Sequence, residues 1–483
     1  MTDYTHFIRA HNYIDGRWVD AADGATIEVT NPANGSLITT VPSLGAEQTR
    51  QAIAAAKAAL PAWRGLVAEE RTRYLRHLHD AILDNQRALA ELLTREQGKP
   101  LKEAMGEVGM SAAYLLWFAE EARRVYGDVI PSPWAGRQIM VTKEAIGVVG
   151  AITPWNFPSS MLARKIGPAL AAGCTLVAKP AEKTPLSALA YGVLADEIGL
   201  PQGVLNILTG DAKAIGGELT SNPDVAKISF TGSTAVGKLL LRQSADTVKK
   251  MTMELGGNAP FIVFDDADLD RAVEGAITSK FRNAGQTCVC TNRFYVQDGI
   301  YDAFVDKFTK ATAALRLGDG LDERTEIGPL VDEAAVAKVE DLLADAVAHG
   351  AKVTLGGQRG TGAGHFFEPT ILSGAVASMR LAQEEIFGPV APIFRFATED
   401  EAIALANDTE FGLAGYFYTK DLARAFRVAN RVEVGIVGIN EGLVTTEVAP
   451  FGGVKQSGLG REGSKYGIED YLQVKYICVG GLD

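Results

Sequence analysis

The rhythm of the chain beyond Ile146 constrains its fold more than any other feature. Short apolar runs at 147–152, 175–178, 204–208, 227–230 and 251–255 are bounded by turn residues, and helical patterns near 161–172, 187–198, 212–220 and 234–244 separate them. Strands that alternate with helices imply right-handed crossovers and a parallel sheet covered on both faces. Ligands of such sheets sit at the carboxyl ends of the strands. A second series begins at 260–264, where Asp268 is placed to N-cap a helix whose apolar face is Leu269, Ala272, Val273, Ala276, Ile277 and Phe281. A strand near 294–296 and a helix carrying Phe304, Val305, Phe308 and Leu315 follow, so the expectation is α/β with more than one sheet. With 483 residues the chain is too long for one compact domain.

The segments outside this rhythm read differently. Residues 11–20 and 27–42 alternate around Asp-Gly and Asn-Gly turns as small antiparallel ribbons. From 45 to 126 long alanine- and leucine-rich stretches, among them 47–62 and 69–96, have the spacing of packing helices. A hairpin at 129–136 leads into an exposed strand pattern at 138–142, and 471–479 is again strand-like. No apolar run approaches the roughly 18 to 20 residues of a membrane span, and the N-terminus lacks a basic region followed by an apolar core. A cytoplasmic protein is the expectation.

Charge narrows the partners. With 47 basic against 59 acidic residues the net charge is -12, which disfavours nucleic acid and anionic membranes. Any anionic ligand must then be gripped by locally placed arginine or lysine. The 4 cysteines are too few for a disulfide framework and lack histidines at zinc-ligand spacing, so no metal is expected.

Cys288 stands in the polar loop Arg282-Asn283-Ala284-Gly285-Gln286-Thr287-Cys288-Val289-Cys290, where a thiol is available as a nucleophile. Glu254 ends an apolar strand pattern, where desolvation would tune it as a general base, although backbone amides could equally satisfy it. Asn156, between Pro154 and Pro158, offers either an amide donor for an oxyanion or a structural turn. Gly232 and Ser233 follow a strand and open a helix, as a pyrophosphate site does, yet no G-x-G-x-x-G is present and an ordinary turn reads as well. Lys179 and Glu182 lie at a strand end, either at an adenosine ribose or as a solvated charge cluster. A carboxylate there favours NAD over NADP.

In combination, TPWNFP, KPAEKTP, FTGSTAVG, MELGG, GQTC, EEIFGPV and PFGGVKQSGLGRE, in this order over nearly the whole chain, resemble the NAD(P)-dependent aldehyde dehydrogenase superfamily. Residues 256–290 and 447–476 are similar to succinate-semialdehyde dehydrogenases, with glutarate-semialdehyde dehydrogenases closely alike. The resemblance implies two Rossmann-like parallel-sheet domains and a small bridging sheet. It divides the chain into a nucleotide-binding domain of residues 1–126 and 146–253, a catalytic domain of 254–456, and bridging segments 127–145 and 457–483 that assemble a homodimer or homotetramer. It makes Cys288 the nucleophile, Glu254 the base and Asn156, with the Cys288 amide, the oxyanion hole. Its implied cofactor contacts are Trp155, Lys179, Glu182, Gly232, Ser233, Glu385 and Phe387, with NAD as cofactor and NADP as the alternative.

Substrate choice has its own signal. Arg164 and Arg282 flank the proposed oxyanion hole in sequence, where relatives with apolar substrates carry aromatics, and two guanidiniums suggest a pocket for a distal carboxylate. Thr445 falls where semialdehyde-type relatives carry a serine hydroxyl. The expected activity is oxidation of a semialdehyde acid through a cysteine thiohemiacetal and thioester. The rival class is a cofactor-free thiol acyltransferase or thioesterase, with a non-catalytic binding role as a third reading. In some semialdehyde relatives a Cys-x-Cys pair forms a reversible disulfide, which makes Cys290 either a redox partner or a small buried side chain.

Overall fold

The computed structural model describes residues 3–482. Its first sheet has eight strands, and five of them are parallel in the spatial order Lys250–Glu254, Val225–Thr231, Val148–Ile152, Thr175–Lys179, Leu205–Ile207. Helices Pro158–Ala172, Leu186–Glu197, Ala212–Ser221 and Thr234–Ser244 make the crossovers. Strands Val148–Ile152 and Thr175–Lys179 are buried almost throughout, which is why they read as continuous apolar runs. The chain builds outward from Val148–Ile152 to one side, then returns to place Val225–Thr231 on the other. That reversal opens a crevice at the carboxyl ends of these two strands.

Neither edge of this sheet is parallel. The ribbon Asn12–Ile14 and Arg17–Val19 is not free-standing, because Tyr13 pairs with Ile207 and adds both strands to the sheet. At the opposite edge Gly458–Leu459 pairs antiparallel with Met253 and Glu254. The second ribbon, Thr26–Thr30 with Leu37–Pro42, forms a separate two-stranded sheet.

A second sheet of seven strands runs in the order Lys352–Leu355, Thr370–Ser373, Val390–Phe396, Thr291–Gln297, Ala259–Val263, Ala414–Tyr418, Ile436–Ile439, parallel except at its first strand. Asp268 caps helix Leu269–Phe281 by accepting from the Arg271 amide, as the sequence indicates. A third sheet joins Asp128–Ile130, Gln138–Ala145 and Leu472–Val479.

Two helical expectations need correction. The stretch 69–96 is not one element: it breaks at Asn85 into Ala68–Asp84 and Gln86–Gln97, where the Asn85 side-chain amide donates to the Ala81 carbonyl at 2.9 Å and the backbone leaves helical geometry. Leu315 lies beyond the helix Tyr301–Ala313. Among the described residues no helix is long and apolar enough to cross a membrane.

Candidate active site

The crevice at the strand reversal receives two loops, Thr153–Phe157 from one strand and Gly232–Ser233 from the other. Pro158 occupies the first turn of helix Pro158–Ala172, where its missing N–H costs nothing and its fixed φ suits the helix. The preceding Asn156 is buried, and its side-chain amide donates to the Gln286 carbonyl at 2.9 Å, two residues before Cys288. Its carbonyl accepts from Lys99 Nζ at 2.8 Å and from Asn283 Nδ2 at 3.0 Å. The amide is therefore fixed against the cysteine loop from both ends.

That loop is a strained turn. After helix Leu269–Phe281 the backbone enters the left-handed region three times in succession, at Asn283 (φ 51°), Ala284 (φ 54°) and Gly285 (φ 76°). Ala284 costs about 1–2 kcal/mol in that conformation. The surroundings enforce it: the Asn283 N–H donates to Glu103 Oε2 at 2.8 Å, and a Cβ on Gly285 would stand 2.2 Å from the Gly388 carbonyl oxygen. Gly257 serves the same end, since a Cβ there would fall 2.4 Å from the Cys288 carbonyl oxygen.

Cys288 is half-buried and faces two cavities. One, of about 350 Å³, is bordered by Trp155, Asn156, Gly232, Ser233, Glu254, Glu385 and Phe387. The other, of about 220 Å³, is bordered by Arg164, Arg282, Thr445 and Phe451. Burial pushes the Cys288 thiol up to about 12, the Glu385 charge adds to the rise, and Arg164 opposes it. Glu254 Oε2 is buried without a hydrogen-bond partner. Burial, and next the charge of Glu462, raises its carboxyl well above the usual range against the pull of Lys165 and Arg164. A carboxyl so raised binds a proton more tightly than a free carboxylate does, as a general base requires.

In the larger cavity Ser233 caps helix Thr234–Ser244 by accepting from the Val236 amide. Glu385 accepts from the Gly257 amide at 3.1 Å, and burial raises its carboxyl to about 7 against that hydrogen bond. Trp155 and Phe387 meet edge to face, 5.5 Å apart, with Phe387 held at φ 54°. Lys179 and Glu182 do not border this cavity; they pair with each other, and Lys179 also donates to the Pro180 carbonyl.

In the smaller cavity Arg164 is only 2% exposed, yet its Nε and Nη1 have no hydrogen-bond partner. Its guanidinium lies between the rings of Tyr114 and Phe451, at 4.7 and 4.6 Å, with Glu462 at 3.5 Å. Arg282 lies over Phe157 at 5.4 Å, and no carboxylate of the described residues comes within 4.0 Å of it. Cys290 borders neither cavity; its thiol donates to the Lys280 carbonyl at 3.3 Å.

Several charged residues at this site do not stand out in the sequence. Lys165 donates to Glu462 and to Thr231 Oγ1, both at 2.7 Å, and burial of Glu462 is outweighed by Lys165 and Arg164, which hold that carboxyl low. Lys99 pairs with Glu107 at 2.6 Å, and Glu107 Oε1 accepts from the Ser159 and Ser160 amides at 3.0 and 3.2 Å. The available signal is Glu103, Gly106, Glu107 and Met110, which repeat at helical spacing and place two carboxylates beside a glycine on one face.

The aldehyde dehydrogenase family matches residues 18–477. The chain is 60% identical over 474 residues to the glutarate-semialdehyde dehydrogenase of Pseudomonas aeruginosa, covering 98% of each chain. It is 59% identical over 476 residues to the NADP(+) succinate-semialdehyde dehydrogenase of Escherichia coli, covering 99% of each. The crystal structure of a succinate-semialdehyde dehydrogenase from Burkholderia pseudomallei superposes with a TM-score of 0.98 at 58% identity, covering 99% of both chains.

Proposed function

The chain belongs to the aldehyde dehydrogenase family, and from that premise we propose that it oxidises a short aldehyde with a carboxylate at its far end to the dicarboxylate. Succinate semialdehyde is the substrate assigned first and glutarate semialdehyde the second, with NAD⁺ or NADP⁺ as cofactor. The observation that carries the substrate class is the pair Arg164 and Arg282, whose guanidiniums both border the cavity that reaches Cys288, with Arg164 Nε lacking a hydrogen-bond partner. Thr445 on the same wall adds a hydroxyl. Bidentate donors of this kind match a carboxylate.

In this reading the Cys288 thiol gives its proton to Glu254, which releases it to solvent. Sγ then attacks the aldehyde carbon, and the Asn156 amide with the Cys288 N–H receives the charge that develops on oxygen. The bound nicotinamide supplies the hydride acceptor. A thioester then links the acyl group to Cys288. Glu254 takes a proton from water, the hydroxide adds to the acyl carbon, and the dicarboxylate leaves as the thiolate returns.

The larger cavity suits a dinucleotide in its donor set. Gly232 and Ser233 at a helix N-terminus would hold its phosphates, Glu385 the hydroxyls of the nicotinamide ribose, and Trp155 and Phe387 would flank the ring. Lys179 and Glu182 are assigned to the adenosine ribose, where binding would compete with their ion pair. We assign residues 1–126 and 146–253 to nucleotide binding, 254–456 to catalysis, and 127–145 with 457–483 to bridging. The exposed apolar side chains of the three-stranded sheet, Val129 and Val474 at 70% and Tyr476 at 58%, support assembly as a homodimer or homotetramer in the cytoplasm.

The test is turnover followed by the near-ultraviolet absorbance of the reduced dinucleotide. Succinate semialdehyde, glutarate semialdehyde and uncharged aldehydes of equal length are each paired with each cofactor. The acids should exceed the uncharged aldehydes in kcat/KM by at least about tenfold. Equal values would remove the carboxylate pocket, and thioester cleavage without any absorbance change would favour the cofactor-free class.

A further inference from the structure

The smaller cavity contains a carboxylate that the carboxylate-binding role does not call for. Glu103 borders it together with Arg164 and Arg282. One of its oxygens accepts from the Asn283 amide at 2.8 Å, and the other has no hydrogen-bond partner among the described residues. Burial raises its carboxyl, with Lys99, the Asn283 amide and Arg282 acting against that rise.

The ionised groups around the cavity can be paired one by one. Glu107, also on its wall, is matched by Lys99 and by two backbone amides. Glu462 is shared between Lys165 and Arg164, so that trio retains one positive charge. Among the described residues Glu103 is the only remaining anion on the wall to set against Arg282. Glu254 borders the larger cavity and not this wall. One positive charge is left uncompensated, in a space of about 220 Å³ where desolvation makes each further charge expensive.

We propose that Glu103 is a specificity-determining residue that limits the far end of the substrate to a single negative charge, so that carboxylate- and sulfonate-ended aldehydes are accepted and phosphonate- or phosphate-ended ones are refused. This rests on the anion pocket proposed above. Two guanidiniums alone would welcome a dianion more than a monoanion, and Glu103 reverses that order. Shape does not decide it, because a sulfonate and a phosphonate have the same tetrahedral outline and differ in charge.

The experiment compares 3-sulfopropanal, 3-phosphonopropanal and uncharged butanal as substrates of the full-length enzyme and of Glu103→Gln, above the second dissociation of the phosphonate. Glutamine keeps an oxygen for the Asn283 amide and removes the charge. For wild type, kcat/KM should favour the sulfonate over the phosphonate by at least about tenfold, and Glu103→Gln should close that gap mainly through the KM of the phosphonate. Glu103→Ala, which also frees the Asn283 amide, should in addition lower kcat for all three aldehydes. If Glu103→Gln moves all three substrates by the same factor, or leaves the sulfonate-to-phosphonate ratio unchanged, Glu103 only supports the loop and the proposal is wrong. Wild-type rates that favour butanal over both anions would instead overturn the anion pocket itself.

Discussion

The buried ammonium of Lys99 donates to the carbonyl oxygen of Asn156 at 2.8 Å, so the amide beside the nucleophile is held from behind by a charge. That charge is itself paired with Glu107, and both side chains are almost fully enclosed. Position and stability can be separated here. Lys99→Met should cost about 3–5 kcal/mol, because it strands the Glu107 carboxylate in the interior. Lys99→Met with Glu107→Gln should recover most of that loss in a urea midpoint while kcat stays low, since the Asn156 carbonyl then keeps only its bond from Asn283. Recovery of both together would show that Lys99 acts through stability alone.

Arg282→Ala removes a donor that no carboxylate of the described residues approaches within 4.0 Å. Its effect should fall on the substrate's far end, raising KM for a semialdehyde acid by about ten- to hundredfold and for an uncharged aldehyde of equal length by little. Arg164→Ala should share this selectivity and also lower stability, because Glu462 loses one of its two cations. Steady-state kinetics with the two aldehydes, beside a thermal melt, reads both effects.

Charges of opposite sign act on the Cys288 thiol, with Glu385 raising its proton affinity and Arg164 lowering it. At a fixed pH near 8, Glu385→Gln should therefore speed alkylation of the cofactor-free enzyme by iodoacetamide, and Arg164→Met should slow it. Each change should be a few-fold to about tenfold, corresponding to shifts of up to about one pH unit. A Cys478→Ser background removes the exposed thiol that would otherwise compete. Shifts of the same sign would mean that cavity shape, not charge, controls the reagent.

Burial holds the Glu385 carboxyl at about 7, above the ordinary value of 4.5. Only the ionised form accepts from both ribose hydroxyls, so dinucleotide affinity should strengthen as pH rises through about 7. Below that range a proton must first be lost. Glu385→Gln should bind more weakly and show a flat profile across the same interval, as measured by fluorescence titration. A wild-type profile equally flat would take Glu385 out of the ribose contact.

What the sequence discloses, and what it hides, follows from how far apart the partners lie along the chain. The parallel strands and the Asp268 cap are local patterns of spacing and side-chain chemistry, and they stand where periodicity puts them. Cys288, Asn156 and Glu254 were legible because each sits in a short run of unusual composition, and the structure brings them to one cavity. Arg164 and Arg282 could be nominated from their distances to Asn156 and Cys288, and they meet in the other. The contact of Lys165 with Glu462 spans 297 residues, so no local pattern announces it. Glu103 and Glu107 resemble the solvated face of a helix until Lys99 and the amides of Asn283, Ser159 and Ser160 are seen against them. Lys179 and Glu182 were legible as a motif, and in the fold they pair with each other outside the larger cavity.

Cys288 and Met161 border both cavities, so these two residues stand in the partition between them. Under the proposed reaction the two reactants approach opposite sides of this partition. The acid and the reduced dinucleotide then depart through separate doors, with neither obliged to pass the other. Product-inhibition patterns should record that geometry, each product competing only with the reactant that enters by its own side. A single molecule that occupied both cavities would compete with both.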